Sequence, residues 1–151
     1  MLELNNQVLA GLAVAAVLIF ICLGLAIYLK WHKERRLKMF DNMEGREFEF
    51  YCAELLKKNG FYDVKVTRAS GDYGIDILAE KDGVTYGIQC KRYSGLVGIK
   101  AVQEAYSGKE YYDRMVGAVL TNQYFTKPAM TCARKLKILM WDGAYLEEMM
   151  E

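Results

Sequence analysis

The pattern of apolar and polar positions divides the chain into two regimes. From Val8 to Leu29 there is no charged residue over 22 positions. At a rise of about 1.5 Å per residue, such a run crosses a hydrocarbon core roughly 30 Å thick, so it predicts a transmembrane helix. Beyond it the periodicities are those of a folded domain. Phe48, Tyr51, Cys52, Leu55 and Leu56 recur at helical spacing, which predicts a helix from Glu47 to Asn59 stopped at Asn59-Gly60. Alternation predicts strands over 62–68, 74–80 and 84–91, the last two joined by the hairpin signal Lys81-Asp82-Gly83. A helix follows over 99–113, an apolar strand over 115–121, and a helix over 126–137 with Pro128 near its start. A short strand over 138–141 and a helix from Ala144 complete the pattern.

The order α-β-β-β-α-β-α-β-α combines an antiparallel meander with crossover units. It predicts an α/β class, α+β in detail, with a mixed sheet and helices on its faces. The expected divisions are an extracytoplasmic N-terminus (1–7), a transmembrane helix (8–29), a basic juxtamembrane linker (30–44) and a single domain (45–151).

Composition changes this picture little. Apolar residues make up 53% of the 151 positions and there is one proline, which excludes disordered and collagen-like designs. Charge distribution adds more. Lys30 to Lys38 holds five Lys or Arg and one Glu, whereas from Met39 onward 15 Lys or Arg face 17 Asp or Glu, a net of −2. The positive excess therefore lies beside the apolar run. By the positive-inside rule this places the C-terminal domain in the cytoplasm and the N-terminus outside. The start MLELNNQ lacks the basic region of a cleaved signal peptide. Gly11 and Ala15 form a small-xxx-small pair suited to a helix–helix contact. Cys22, Cys52, Cys90 and Cys132 are scattered, and His32 is the lone histidine, so neither a disulfide framework nor a zinc site is expected.

The candidate chemistry lies on the hairpin. With a two-residue loop, paired residue numbers sum to 165, and Asp76 faces Gln89 as a non-hydrogen-bonded pair, with Cα atoms about 4.5 Å apart. Lys91 shares the face of Gln89. The opposite face pairs Ile77 with Ile88 and Ile75 with Cys90, so core lies behind a polar triplet. A carboxylate and an amide oxygen are hard ligands suited to Mg²⁺, and a nearby lysine can hold a water or offset phosphate charge. A surface Asp–Lys pair is the plainer reading of the same spacing. Tyr106, Tyr111 and Tyr112 read as packing residues of an amphipathic helix more readily than as a stacking surface. Cys90 faces the core and reads as packing.

The run GDYGIDILAEKDGVTYGIQCKRYSG, Gly71 to Gly95, resembles the catalytic core of the Mrr-type restriction endonuclease domain, within the PD-(D/E)XK nuclease superfamily. Its signature, an acidic residue on one strand and (E/Q)-x-K on the next, matches Asp76 and Gln89-Cys90-Lys91. GREFEFYCAELLKKNGFYDV resembles the family's first helix and strand, and AVLTNQYFTKPAMTCARKLKILMWDGAYL its C-terminal half. The resemblance covers Gly45 to about Leu146. It implies a restriction-endonuclease-like αβββαβ core and hydrolysis of phosphodiester bonds in DNA with Mg²⁺, or Mn²⁺ in its place. It also implies a metal site of Asp76, the Gln89 side-chain oxygen, the Cys90 carbonyl and Glu49, with Lys91 orienting the attacking water. Glu47 is the fallback for Glu49. Lys100 and Gln103 at the next helix start, and Tyr73 in the Gly71–Gly74 turn, are candidate substrate contacts. The chain departs from the family in having a membrane-type segment where a DNA-reading domain would be. Non-specific or structure-dependent cleavage near a membrane, in defence against foreign DNA, therefore fits better than sequence-specific restriction. A homodimer would supply two active sites. The competing expectation is a catalytically inactive membrane tether that binds nucleic acid through the inherited fold.

Overall fold

The computed structural model describes residues 11–12, 15–28, 38–68, 71 and 73–151. The chain divides into two units, residues 1–36 and 37–151. In the first, residues 15–28 form helix α1. Among the described residues, no helix is long and apolar enough to cross a membrane. The expected N-terminus (1–7), both ends of the apolar run (8–10 and 29) and the basic stretch at 30–37 lie outside the described residues. So do residues 69, 70 and 72 of the expected Gly-containing turn.

The second unit begins with a 3-10 turn, Lys38–Asn42, inside the segment expected to be linker. Its Phe40 is fully buried and meets Phe48 and Tyr51 edge to face, with centroids 5.4 and 5.2 Å apart. An aromatic side chain of that size gains more from joining a core than from solvent, so the core recruits the segment. Helix α2 (Gly45–Lys58) follows, then β1 (Tyr62–Val66), β2 (Ile77–Lys81), β3 (Val84–Lys91), α3 (Ile99–Tyr111), β4 (Val116–Thr121), α4 (Lys127–Leu136), β5 (Ile138–Trp141) and α5 (Gly143–Met149). Thr126 caps α4 by accepting from the Ala129 N–H, and Asp142 caps α5 by accepting from the N–H groups of Ala144 and Tyr145.

The five strands form one sheet in the order β1-β2-β3-β4-β5. The first three are antiparallel, and β3–β4 and β4–β5 are parallel. The β2–β3 hairpin has the expected register, from Lys81↔Val84 to Ile77↔Ile88. Asp82 (φ 52) and Gly83 (φ 76) both adopt the left-handed conformation that a two-residue type I′ turn requires. One face of the sheet is covered by α2 and α5 around Phe48, Cys52, Leu56, Ile77, Ile88 and Leu120. The other is covered by α3 and α4 around Val97, Val102, Ala105, Val119 and Ala133.

The structure corrects the sequence reading at the start of β2. The regular ladder begins at Ile77, not at Gly74. Asp76 donates its backbone N–H to the Ile88 carbonyl, while the Cys90 N–H turns to the Asp76 carboxylate (2.6 Å). A side-chain oxygen has taken the place of a backbone acceptor, so the ladder ends there. Ile75 does not pair with Cys90. Its side chain lies against Gly87 of β3 and Gly108 of α3.

Candidate active site

Gln89 and Lys91 alternate with Ile88 and Cys90 along β3, so strand geometry alone turns them toward α3. Asp76 arrives beside them from the end of β2. The structure brings Glu49, Tyr73, Asp76, Gln89, Cys90, Lys91, Lys100 and Gln103 to one open cleft of about 530 Å³, together with Gly74, Glu104 and Ser107. Glu47 is exposed and lies outside the cleft; Glu49, two residues further along the helix and so turned about 200° away, lines it.

Asp76 and Gln89 are 5% and 4% exposed. Asp76 Oδ2 accepts from both Gln89 Nε2 and the Cys90 N–H. The same Gln89 Nε2 also donates to the Cys90 carbonyl at 3.2 Å. A carboxylate oxygen and a carbonyl oxygen thus converge on one electropositive group. Two converging oxygens suit a small cation, and the Gln89 amide, turned end for end, would add a third. With the Glu49 carboxylate the donors are all hard oxygens and include two carboxylates, the number Mg²⁺ commonly takes. Among the described residues, no group of three or more His, Cys, Asp or Glu is placed to hold a metal. The fit therefore rests on this mixed set.

Glu49 is held by Arg46 Nη1 at 2.6 Å, and Arg46 Nη2 donates to the Thr67 carbonyl (2.8 Å). Thr67 in turn donates its N–H to the Asp76 carbonyl (2.8 Å) and its hydroxyl to the Ile75 carbonyl (2.8 Å). One polar chain thus ties the acid on α2 to the strand end that carries Asp76. Past Lys91, Thr121 donates its hydroxyl to the Lys91 carbonyl (2.6 Å), and the buried Asn122 clamps both backbone groups of Tyr93 (3.0 and 2.9 Å). These bonds fix the backbone on either side of the triplet.

The sequence reading missed Glu104. Its Oε2 lies 2.7 Å from Lys91 Nζ, an ion pair outside hydrogen-bond alignment, and its Oε1 lies 3.7 Å from Lys100 Nζ. Lys91 and Glu104 side chains are only 19% and 28% exposed, whereas Lys100 is 85% exposed. In sequence, Lys100 and Glu104 look like an ordinary i,i+4 surface pair. The contact with Lys91 exists only because α3 packs over β3.

Cys90 behaves as expected of a packing residue. A hydrogen bond with the Cys52 thiol, followed by burial and the nearby Asp76 and Glu49 charges, pushes its thiol well above the ordinary range. It is neutral and no nucleophile. The tyrosines of α3 depart from expectation. Tyr106 is 39% exposed, and Tyr111 is 55% exposed and stacked on Tyr73 rather than packed in the core. A hydrogen bond with Tyr73 and the Tyr73 and Tyr112 neighbours raise the Tyr111 phenol above its usual value. It is a neutral group near pH 7.

An antiparallel meander running into parallel crossovers, with an acid at one strand end beside Q-x-K on the next, defines a restriction-endonuclease-like α/β protein. Residues 40–150 match the family Mrr_cat, restriction endonuclease, and the chain belongs to that family. Among solved structures it is similar to AF1548, a protein of unknown function (25% identity, TM-score 0.56, 64% of this chain and 57% of that one). It is also similar to the MspJI restriction endonuclease, solved in complex with a 27-mer oligonucleotide (16%, 0.59, 78% and 30%). A third likeness is to the DNA modification-dependent restriction endonuclease AspBHI (18%, 0.57, 78% and 35%). At 16% and 18% identity the likeness is one of fold, and the chain spans less than two thirds of each of the three. No curated protein matches.

Proposed function

We propose that this chain is a membrane-anchored, Mg²⁺-dependent DNA endonuclease that hydrolyses phosphodiester bonds, acting in defence against foreign DNA. The observation that carries the catalytic reading is the convergence of Asp76 Oδ2 and the Cys90 carbonyl on Gln89 Nε2, in a cleft that also holds Lys91. Asp76, Glu49, the Cys90 carbonyl and Gln89 would hold the cation. When bound, it would polarise the scissile phosphate and lower the pKa of a coordinated water. Lys91, steadied by Glu104, presents its ammonium to the phosphate and to the attacking water. Lys100 extends that positive edge toward solvent. The uncharged run Val8–Leu29 and the basic run Lys30–Lys38 support a single-pass anchor with the catalytic unit on the cytoplasmic side.

The test is a plasmid-nicking assay on the detergent-purified full chain, with Mg²⁺ or Mn²⁺, beside Asp76→Ala and Lys91→Ala. Metal-dependent nicking lost in both variants is expected. Nicking that survives in both would place the chemistry elsewhere. DNA binding without any nicking would instead identify an inactive tether.

A further inference from the structure

Tyr73 and Tyr111 are each 55% exposed, yet their rings stack face to face with centroids 3.7 Å apart and planes at 19°. Tyr112 meets Tyr111 edge-on at 5.1 Å. Tyr73 lines the cleft that holds Asp76 and Lys91. Folding by itself gives little reason for this arrangement. Half-exposed rings gain only a fraction of the burial free energy available to them. Tyr73 also sits at φ 51, a left-handed conformation that costs a residue with a Cβ roughly 1–2 kcal/mol and that glycine adopts freely. Such strain tends to collect at ligand sites.

The ring is presented from a fixed backbone. A Cβ on Gly74 would fall 2.6 Å from the Glu104 carbonyl oxygen, and one on Gly108 would fall 2.6 Å from the Tyr73 carbonyl oxygen. The turn is therefore in backbone contact with α3, the helix that carries Tyr111. Charge supplies a second argument. From Met39 onward the net charge is −2, so overall charge gives this stretch no attraction for a polyanion, the term by which most nucleic-acid-binding proteins gain affinity. Base–aromatic stacking needs no charge and is worth about 1–3 kcal/mol per base.

We propose that the Tyr73–Tyr111 stack is a platform for an unpaired nucleobase of the strand whose phosphate enters the cleft, so that single-stranded or flapped DNA is preferred over continuous duplex. This rests on the nuclease reading above. Within a continuous duplex both faces of every base are covered by neighbours, whereas an unpaired base offers a face that can join the tyrosine stack as a further layer.

The experiment uses the full chain in detergent with EDTA present, so that binding is read without cleavage. The probes are a single-stranded oligonucleotide containing 2-aminopurine and its duplex. Binding should quench the single-stranded probe. Tyr73→Ala and Tyr111→Ala should each weaken single-strand binding by about 5- to 150-fold, the equivalent of that stacking energy, and so narrow or abolish the preference for single strand over duplex. Tyr73→Phe and Tyr111→Phe keep the ring and should bind the single strand as tightly as wild type does. With Mg²⁺ restored, cleavage of single-stranded over duplex DNA should fall by the same factor in the alanine variants. Duplex bound as tightly as single strand, or alanine variants that bind single strand normally, would overturn the platform while leaving the nuclease reading intact. Quenching without cleavage of any DNA would keep the platform and overturn the nuclease. Absence of binding to the single-stranded probe would overturn the platform, and absence of cleavage of any DNA with Mg²⁺ restored would overturn the nuclease reading as well.

Discussion

Replacing Gly108 by Ala sets two effects of opposite sign against each other. Gly108 lies inside α3, where Ala is favoured over Gly by about 1 kcal/mol. Helix propensity alone therefore expects a more stable protein. The added Cβ, however, would stand 2.6 Å from the Tyr73 carbonyl oxygen, 2.6 Å from Ile75 Cγ1 and 3.0 Å from the Gly74 carbonyl carbon. Two of these atoms are backbone, so no rotamer change relieves the contact, and the turn must move by most of an ångström. Overpacking of this kind costs about 1–3 kcal/mol, and backbone opposition places it at the upper end. The net expectation is a loss of about 2 kcal/mol. Urea unfolding of the full chain, read by the fluorescence of the buried Trp141 with Trp31 replaced by Phe, measures it. Gly45→Ala is the control: it opens α2 with nothing within 4 Å of a Cβ, and should be neutral or slightly stabilising. A Gly108→Ala protein as stable as wild type, or more so, would refute the reasoning. It would mean that the turn carrying Tyr73 and Ile75 yields to α3 instead of being fixed by it.

Glu104→Gln keeps shape but removes the charge that faces Lys91; trading a charged for a neutral partner costs about 1–1.5 kcal/mol. Steady-state kinetics should show kcat down five- to tenfold with KM not raised, because a negative charge facing the phosphate has also gone; an equal fall in active enzyme without that split would mark Glu104 as merely structural. Phe40→Ala empties a fully buried ring site and should cost about 3–5 kcal/mol in the same unfolding measurement, although Phe40 lies in a stretch that reads as linker. The Cys90 thiol is held protonated in the folded chain, so the folded state binds more protons than the unfolded one. Its contribution is fully present below the ordinary thiol range and is lost as pH rises through and beyond it. At pH 8 a thiol reagent should modify the partly exposed Cys132 well before Cys90, and rapid labelling of Cys90 in the folded chain would contradict the assigned burial.

Much of the architecture follows from local signals. The period-two and period-3.6 patterns placed each strand and helix of residues 45–151 within a few residues, because alternation and helical spacing are properties of neighbouring side chains. Asp82-Gly83 set the hairpin register, since only a short list of residues adopts two consecutive left-handed conformations. From that register followed the shared face of Gln89 and Lys91 and the closeness of Asp76. What tertiary structure decided is where contacts cross from one element to another. Asp76 ends the ladder with its carboxylate, and Ile75 turns to Gly87 and Gly108, because the arriving α3 leaves room there for a side chain and none for a second Cβ. Glu104 reaches Lys91, and Tyr111 reaches Tyr73, through the same packing of α3 over β3 and the turn. Phe40 joins the core because Phe48 and Tyr51 leave it a site. None of these contacts has a periodic trace in sequence, since each is fixed by the distance and angle between packed elements rather than by residue spacing along the chain.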